Sequence, residues 1–473
     1  MISANGRKQE SLVRGLGLWG AIAINVANMI GTGIFLKTRV MTCNVGSPML
    51  VLGAWIAAAL LTLAGTFAYA EVAAMMPEAG GEYVFLRRAY GRLTGFLYGW
   101  TTFAIYKSGS QAALAVGFAI FLNVALGGVL DGNALAGSVF GHPVRLPWLA
   151  VVALGAIWTV AAFNCRSITS GGRMAIGFTL AKVALLAALA IGAFAFQSGH
   201  WGNFLLPVGD ASCTGVEASA RGGLAGFGAA MLGALWAFDG WANVAPLAGE
   251  VKDPARDLPR SFFGGMLVVA ALYLAVNLAY FYVLTPLEVG SVSPTSSVAT
   301  EVLRRFVGPA AVTIAAMALM FSAFGSLHAS VLSGARVPFA MAREGLFFRA
   351  LGQVSPRSHV PARAVLAQAA WASVLALSGS YDTLTDAAIF AVWLFYGLTA
   401  GSLFVFRRTM PDARRPYRAL GYPWVPAAFA LATLCLILNT FFATPRLAFT
   451  GVGIMLAGLP FYLYWSALRA RAA

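Results

Sequence analysis

The chain has 473 residues, 59% of them hydrophobic and only 10% charged, with a mean hydropathy of +0.77. A soluble globular protein carries about 25% charged residues, so this composition, with its repeated apolar runs of about 20 residues, excludes a soluble multidomain protein and indicates a polytopic helical membrane protein. The formal net charge of +15 invites nucleic acid as a partner, but most of the 32 Lys and Arg residues fall in alternate loops and the two termini. That is the positive-inside pattern, so no nucleic-acid groove is expected and the excess is assigned to topology and lipid contact.

Met1–Arg14 is short and polar, without an h-region or a small-residue cleavage site, so no removable signal peptide is expected. Twelve spans are predicted, at residues 17–38, 46–75, 94–127, 146–163, 172–197, 222–247, 262–285, 308–335, 361–379, 383–406, 422–442 and 447–467. An even count puts both termini on one side, and Arg7, Lys8, Arg14, Arg469 and Arg471 make that side the cytoplasm of an inner or plasma membrane.

The first span carries Asn25-Val-Ala-Asn-Met-Ile-Gly-Thr-Gly-Ile-Phe35 in its middle. Glycine weakens a helix, and a break at membrane depth frees peptide groups that lipid cannot satisfy. Such a break persists where it lines a polar cavity. The amides of Thr32, Gly33 and Ile34 would then open the outer half-helix and suit a carboxylate. Free carbonyls from Asn28 to Ile30, Met29 included, would suit an ammonium. Tight packing of small residues is the plainer alternative.

Between spans two and three, Pro77–Arg92 is basic and amphipathic and reads as a helix on the inner membrane face. A similar stretch, Ala342–Arg349, follows span eight. Span six is interrupted at Trp236-Ala-Phe-Asp-Gly-Trp-Ala-Asn243, matching the break in span one. Broken segments five spans apart indicate a five-plus-five inverted repeat with a midplane site, residues 17–197 forming one half and 222–406 the other, with 422–467 outside the repeat in a single transporter domain. Residues 295–306 read as a small helix in an outer loop.

Ionisable residues inside spans are functional candidates. Asp239, among Trp236, Phe238 and Trp241, pairs with a cation, carries a proton or caps a half-helix; the three readings are open. Trp236 is either a lid or core packing. Lys182 in span five has no neutralising neighbour in sequence; it is a coupling group or it snorkels. Lys107 in span three either faces the pathway or ties helices together. His328 reads as a core histidine. The four cysteines build no metal site; pairing of Cys43 with Cys213 is left open, and Cys165 and Cys435 read as buried helix-end residues. No Walker A, HExxH or Ser/His/Asp set is present, so neither an enzyme nor an ATP-driven pump is expected, and no cofactor or metal.

Met29-Ile-Gly-Thr-Gly-Ile-Phe35, Leu235-Trp-Ala-Phe-Asp-Gly-Trp241 and Gly249-Glu-Val-Lys-Asp-Pro-Ala-Arg-Asp-Leu-Pro259 together resemble the amino acid–polyamine–organocation superfamily, nearest its L-type amino acid transporter branch and the bacterial exchangers of that branch. Asn164-Cys165, Asn277–Tyr280, Gly334–Gly345 and Ala457–Tyr462 extend the resemblance over nearly the whole chain. It implies an all-α integral membrane protein of the LeuT type, with twelve helices, helices one and six broken, and alternating access. Carried over, the Thr32 and Gly33 amides take the carboxylate, the Met29, Trp236 and Asp239 carbonyls take the amine, and Trp236 gates. Lys182 matches a lysine standing in for a sodium ion. Animal members join a heavy chain through a cysteine in the loop between spans three and four; Gly127–Leu146 has none, so no covalent heavy-chain partner is expected.

The expectation is a sodium-independent amino acid exchanger favouring neutral L-amino acids. Alternatives are a proton symporter titrating Lys182 or Asp239, an exchanger of cationic amino acids or amines using Asp239, and, from another class, an amino-acid-sensing membrane protein.

Overall fold

The computed structural model describes residues 15–77, 80–139, 142–166, 169–196, 199–356, 358 and 360–472. The basic Arg7, Lys8 and Arg14 used above to orient the termini lie outside them, as do Glu78 and Ala79 of the predicted surface helix.

The first span is broken where the glycines stand. Helix α1 runs Leu18–Met29 and α2 runs Gly33–Val45, their axes bent by 42°. Helix α2 continues seven residues past the predicted end at 38 and stops at Gly46, whose φ of 72° supplies the left-handed C-terminal turn. Charge suggested the earlier stop. In fact Lys37 is fully buried because Asp382 and Asp386 stand 2.9 and 2.8 Å from its Nζ.

Pro48 at the first turn opens α3 (Pro48–Met75). Helix α4 (Glu82–Tyr90) forms the surface helix, burying Tyr83, Val84, Phe85 and Leu86; it begins after Gly80 and Gly81, both at positive φ, rather than at Pro77. Helix α5 (Arg92–Ala125) contains a π turn at Thr102–Tyr106, just before Lys107. The loop that follows folds into an antiparallel hairpin, β1 (Asn133–Val139) with β2 (His142–Pro147). Then come α6 (Trp148–Asn164), α7 (Thr169–Phe196) and α8 (Gly223–Phe238). After α8 the chain turns and resumes only as a 3-10 helix at Ala245–Glu250, so span six ends as a regular α-helix at the predicted interruption.

Helix α9 (Pro254–Val283) starts eight residues before the predicted 262, because Pro254 at its first turn and Asp257 in that turn are helix-start signals that outweigh low hydropathy. Two short helices follow, α10 (Pro286–Ser291) and α11 (Val298–Val307). The second is the small helix expected at 295–306, with the Ser297 hydroxyl accepting from the Thr300 amide at 3.1 Å. The rest is α12 (Pro309–Gly334), α13 (Arg336–Arg343), α14 (Ala362–Ser378), α15 (Tyr381–Thr409), α16 (Trp424–Ala443), α17 (Pro445–Leu456) and α18 (Gly458–Ala472). By length and composition seven described helices can cross a membrane, or eight if α1 and α2 make one span, and four more apolar helices are shorter. The chain is an all-helical, multi-pass membrane protein.

The two breaks touch through backbone. A Cβ on Gly33 would lie 2.7 Å from the Ala237 Cα; a Cβ on Gly240, at φ 106°, would lie 2.8 Å from the Asn28 carbonyl carbon. At one end of the bundle, Leu16 pairs with Val251, the Gly80 amide donates to Pro246, and both Tyr83 and Arg87 donate to Glu344, which joins the α4 and α13 regions. At the other end Arg39 donates to the Thr214 carbonyl and Cys43 is disulfide-bonded to Cys213. Cys165 does sit at a helix end, half-buried; Cys435 does not, lying mid-α16 on an exposed face.

Gly33→Ala forces the two breaks apart and should destabilise the purified protein by about 1–3 kcal/mol, read as a lower melting temperature in detergent. Gly53→Ala on α3, where nothing lies within 4 Å, should leave it unchanged. Maleimide labelling of the denatured, unreduced protein should modify two cysteines, Cys165 and Cys435, and after reduction all four.

Candidate functional site

The breaks enclose a small cavity of about 20 Å³, room for about one water molecule. Its walls are Asn28, Met29, Gly31, Thr32 and Gly33 from the first break, Trp236, Asp239 and Asn243 from the second, Lys107, Ser110 and Leu114 from α5, and Ser326 and Ser330 from α12. The spacing makes this possible. Residues 107, 110 and 114 share one face of α5, and 326 and 330 one face of α12.

The freed peptide groups of the first break divide into two sets. Three carbonyls are held by other helices. Ala27 accepts from Lys182 Nζ at 2.9 Å and Ile30 from Ser326 Oγ at 3.0 Å; Met29 accepts from the Tyr273 hydroxyl at 2.7 Å. Tyr273 also reaches the Ala237 carbonyl at 3.0 Å, so one phenol on α9 bridges both breaks. The other set is free: the amides of Thr32, Gly33 and Ile34 donate to no described residue, and the Asn28 carbonyl accepts from none. These are the donors and acceptor that a helix end presents to a ligand.

Lys182 does not snorkel. It is 2% exposed, and its ammonium also lies 2.6 Å from Ser326 Oγ, so it staples α7 and α12 to the end of α1. Trp236 lines the cavity and its indole N–H donates to the Tyr381 hydroxyl at 2.9 Å; that hydroxyl is also 2.9 Å from Thr32 Oγ1. Directly above, Lys37 Nζ lies 5.6 Å from the Tyr381 ring centre and pairs with Asp382 and Asp386 of α15, while Arg39 pairs with Asp382 at 3.2 Å. A chain of contacts thus runs from the first break through Tyr381 to an ion cluster at the disulfide-bearing end.

Asp239 is held from two sides. Tyr106 donates to its oxygens at 3.1 and 3.0 Å and Tyr396 donates at 2.9 Å. Lys107 donates to Asn243 at 2.9 Å and lies over the Tyr106 ring. Glu82, buried on the surface helix α4, belongs to the same charged group; burial pushes its carboxyl up, opposed by its own amide and by Lys107. Ile30, Ile34 and Phe238 turn away from the cavity: the isoleucines are fully buried, and Phe238 packs edge-on against Trp55 and beside Tyr273. His328 sits in the core, its Nδ1 2.9 Å from the Asn164 amide.

Sequence reasoning reached Met29, Thr32, Gly33, Trp236, Asp239, Lys107 and Lys182. It did not single out Tyr273, Tyr381, Ser326, Ser110 or Ser330. Nothing in the local sequence marks these residues, whose importance comes from packing across helices. Tyr106 and Asn243 stood beside the residues that were flagged, and their polar groups inside apolar spans were the available signal.

The chain matches the amino acid permease family over residues 16–468. It is 31% identical to the serine/threonine exchanger SteT of Bacillus subtilis (strain 168) over 464 residues, 97% of each chain. It is 29% identical to the b(0,+)-type amino acid transporter 1 of Mus musculus, covering 96% of this chain and 88% of the relative. With the human cystine/glutamate transporter it shares 25% identity over 97% of this chain and 86% of the relative. The broken first span, the interrupted sixth and the full-length match agree: this chain belongs to the amino acid permease family, a family of transporters and not of enzymes.

Proposed function

We propose that the protein is a sodium-independent exchanger of neutral L-amino acids that works by alternating access. The observation that carries this reading is the pair of free peptide sets on residues lining one cavity: the N–H groups of Thr32 and Gly33 for a carboxylate, and the Asn28 carbonyl for an amine. Trp236 O accepts one hydrogen bond, from the Asp239 amide, and keeps a lone pair for the amine, whereas Met29 O already accepts from both the Tyr273 hydroxyl and the Gly31 amide. The exchange activity of the serine/threonine exchanger SteT supports the same reading.

The fold proposed for this activity is twelve spans: the seven long ones, the broken first span and the four shorter apolar helices. Two inverted halves, 17–197 and 222–406, would each contribute one broken helix and one short surface helix, and 422–467 would lie outside the repeat. The pairing of Tyr83 and Arg87 with Glu344 supports this, since it joins the surface helices of the two halves. The disulfide-bearing end is proposed to face the oxidising outer side and both termini the cytoplasm, with the basic loops inside. Substrate is an amino acid within lipid surroundings; no nucleic acid and no covalent heavy-chain partner are proposed, since Cys43 and Cys213 bond each other.

In this mechanism Trp236, released from or docked on Tyr381, closes the cavity towards the ion cluster of Lys37, Arg39, Asp382 and Asp386. The ammonium of Lys182 holds the end of α1 without a metal ion, which is why sodium is dispensable. Asp239, engaged by Tyr106 and Tyr396, supports neutral over cationic substrates.

In proteoliposomes, uptake of labelled amino acid should require amino acid trapped inside and should be unchanged when sodium is replaced by choline. Uptake into empty vesicles under an inward proton gradient would instead establish symport. Lys182→Ala removes two hydrogen bonds from a charged donor and should lower exchange by about tenfold or more, with the gel-filtration profile unchanged; wild-type exchange would remove Lys182 from the mechanism.

A further inference from the structure

We infer that a groove between α7 and α12, open towards lipid, binds a long-chain fatty acid whose carboxylate meets Lys182 and Ser322.

This second cavity has a volume of about 590 Å³, within the roughly 300–1,000 Å³ of small-molecule sites. Gly177, Ala181 and Leu185 line it from α7, and Ala318 and Phe321 from α12. Gly177, Ala181 and Phe321 are exposed, and on a multi-pass membrane protein so apolar a surface at mid-helix faces acyl chains. Two polar residues interrupt the lining, Lys182 and Ser322, which are 2% and 3% exposed. Lys182 stands in the middle of α7, about 20 Å along the helix from either end.

Both polar groups are incomplete. Other serines of α12 spend their hydroxyls on the preceding turn: Ser326 donates to the Ser322 carbonyl at 3.3 Å and Ser333 to the Ala329 carbonyl at 3.1 Å. The Ser322 hydroxyl has no partner among the described residues. An ammonium carries three donors. Lys182 is given two partners by the described residues, the Ala27 carbonyl and the Ser326 hydroxyl, and both are neutral. A buried cation is costly until a counter-charge meets it, and an unpartnered buried hydroxyl is costly too.

A carboxylate completes both, accepting from the Ser322 hydroxyl and from the third Lys182 N–H. The rest of the lining is hydrocarbon, so the anion must arrive on an apolar stem. A phospholipid cannot deliver it, because its phosphate stays at the headgroup level, about 15 Å from the midplane. A sterol or fatty alcohol leaves the charge unmatched. One acyl chain ending in a carboxyl group satisfies the apolar walls, the hydroxyl and the cation together.

The test uses the full chain in phosphatidylcholine nanodiscs and a palmitate bearing a diazirine in its chain, with cross-linked peptides mapped by mass spectrometry. Adducts should concentrate on residues 177–185 and 318–322. Unlabelled palmitate should displace the probe at a concentration about tenfold or more below that of its uncharged methyl ester. Gly177→Leu, placed where nothing lies within 4 Å of an added Cβ, fills the groove and should cut labelling about tenfold. Ser322→Ala keeps the volume and should weaken palmitate about tenfold while leaving the ester unchanged; this comparison serves if Gly177→Leu does not fold. Adducts spread evenly over the lipid-facing helices overturn the inference, as do equal displacement by acid and ester and a Ser322→Ala variant that binds palmitate like wild type. Labelling is read without transport, so this site and the exchanger reading fail separately.

Discussion

An interrupted helix inside a membrane must find a partner for every peptide group it frees, and that requirement organises this protein. Each unsatisfied group in hydrocarbon costs several kcal/mol. Here Lys182 from α7, Ser326 from α12 and Tyr273 from α9 take the carbonyls at the end of α1. Three helices distant in sequence are therefore anchored to one point. The second break is pressed against the first so closely that only glycine fits at 33 and 240. Of the groups left over, those of Asn28, Thr32 and Gly33 belong to residues lining the cavity, so the break reads as a built site and not as a frayed helix.

Charge inside the bundle follows the same logic. Burying an ion costs several kcal/mol after relaxation, and only a close counter-charge offsets it. Lys37 and Arg39 are matched by Asp382 and Asp386 at one end, and Glu71, with no exposed side-chain surface, is matched by Arg407 and Arg415 at the other. Such pairs add little stability over apolar packing, but they set which helix faces which. Both ends of the site are tied to α15, through Asp382 near its start and Arg407 near its finish.

Much of this was legible because glycine and charge are rare in apolar spans. Gly31-Thr-Gly33 and Asp239-Gly240 announced the two breaks, and Lys182 and Lys107 announced themselves by depth alone. The end of α2 was misplaced because Lys37 reads as a boundary until Asp382 and Asp386, more than 340 positions away, are brought against it. The start of α9 was misplaced because hydropathy says little about a helix that extends beyond the membrane, whereas Pro254 and Asp257 say a good deal. The β-hairpin at 133–147 carried no alternating pattern strong enough to detect. Tyr273 and Tyr381 were invisible for a deeper reason: a tyrosine in an apolar span is unremarkable until its hydroxyl is seen bridging two elements.

Asp239 shows how neighbours decide a role that sequence leaves open. A lone carboxylate at this depth would invite a cation or a proton. This one has Tyr106 donating to both oxygens and Tyr396 to one, with Lys107 on the same cavity wall. Where the π turn ends, the consecutive residues Tyr106 and Lys107 both reach the second break, one at Asp239 and the other at Asn243. The carboxylate thereby becomes a joint between α5, α15 and the second break rather than an open charge. A cavity whose one acid is already occupied, and whose lining keeps free peptide amides and a free carbonyl, presents a donor set and an acceptor in place of an open charge.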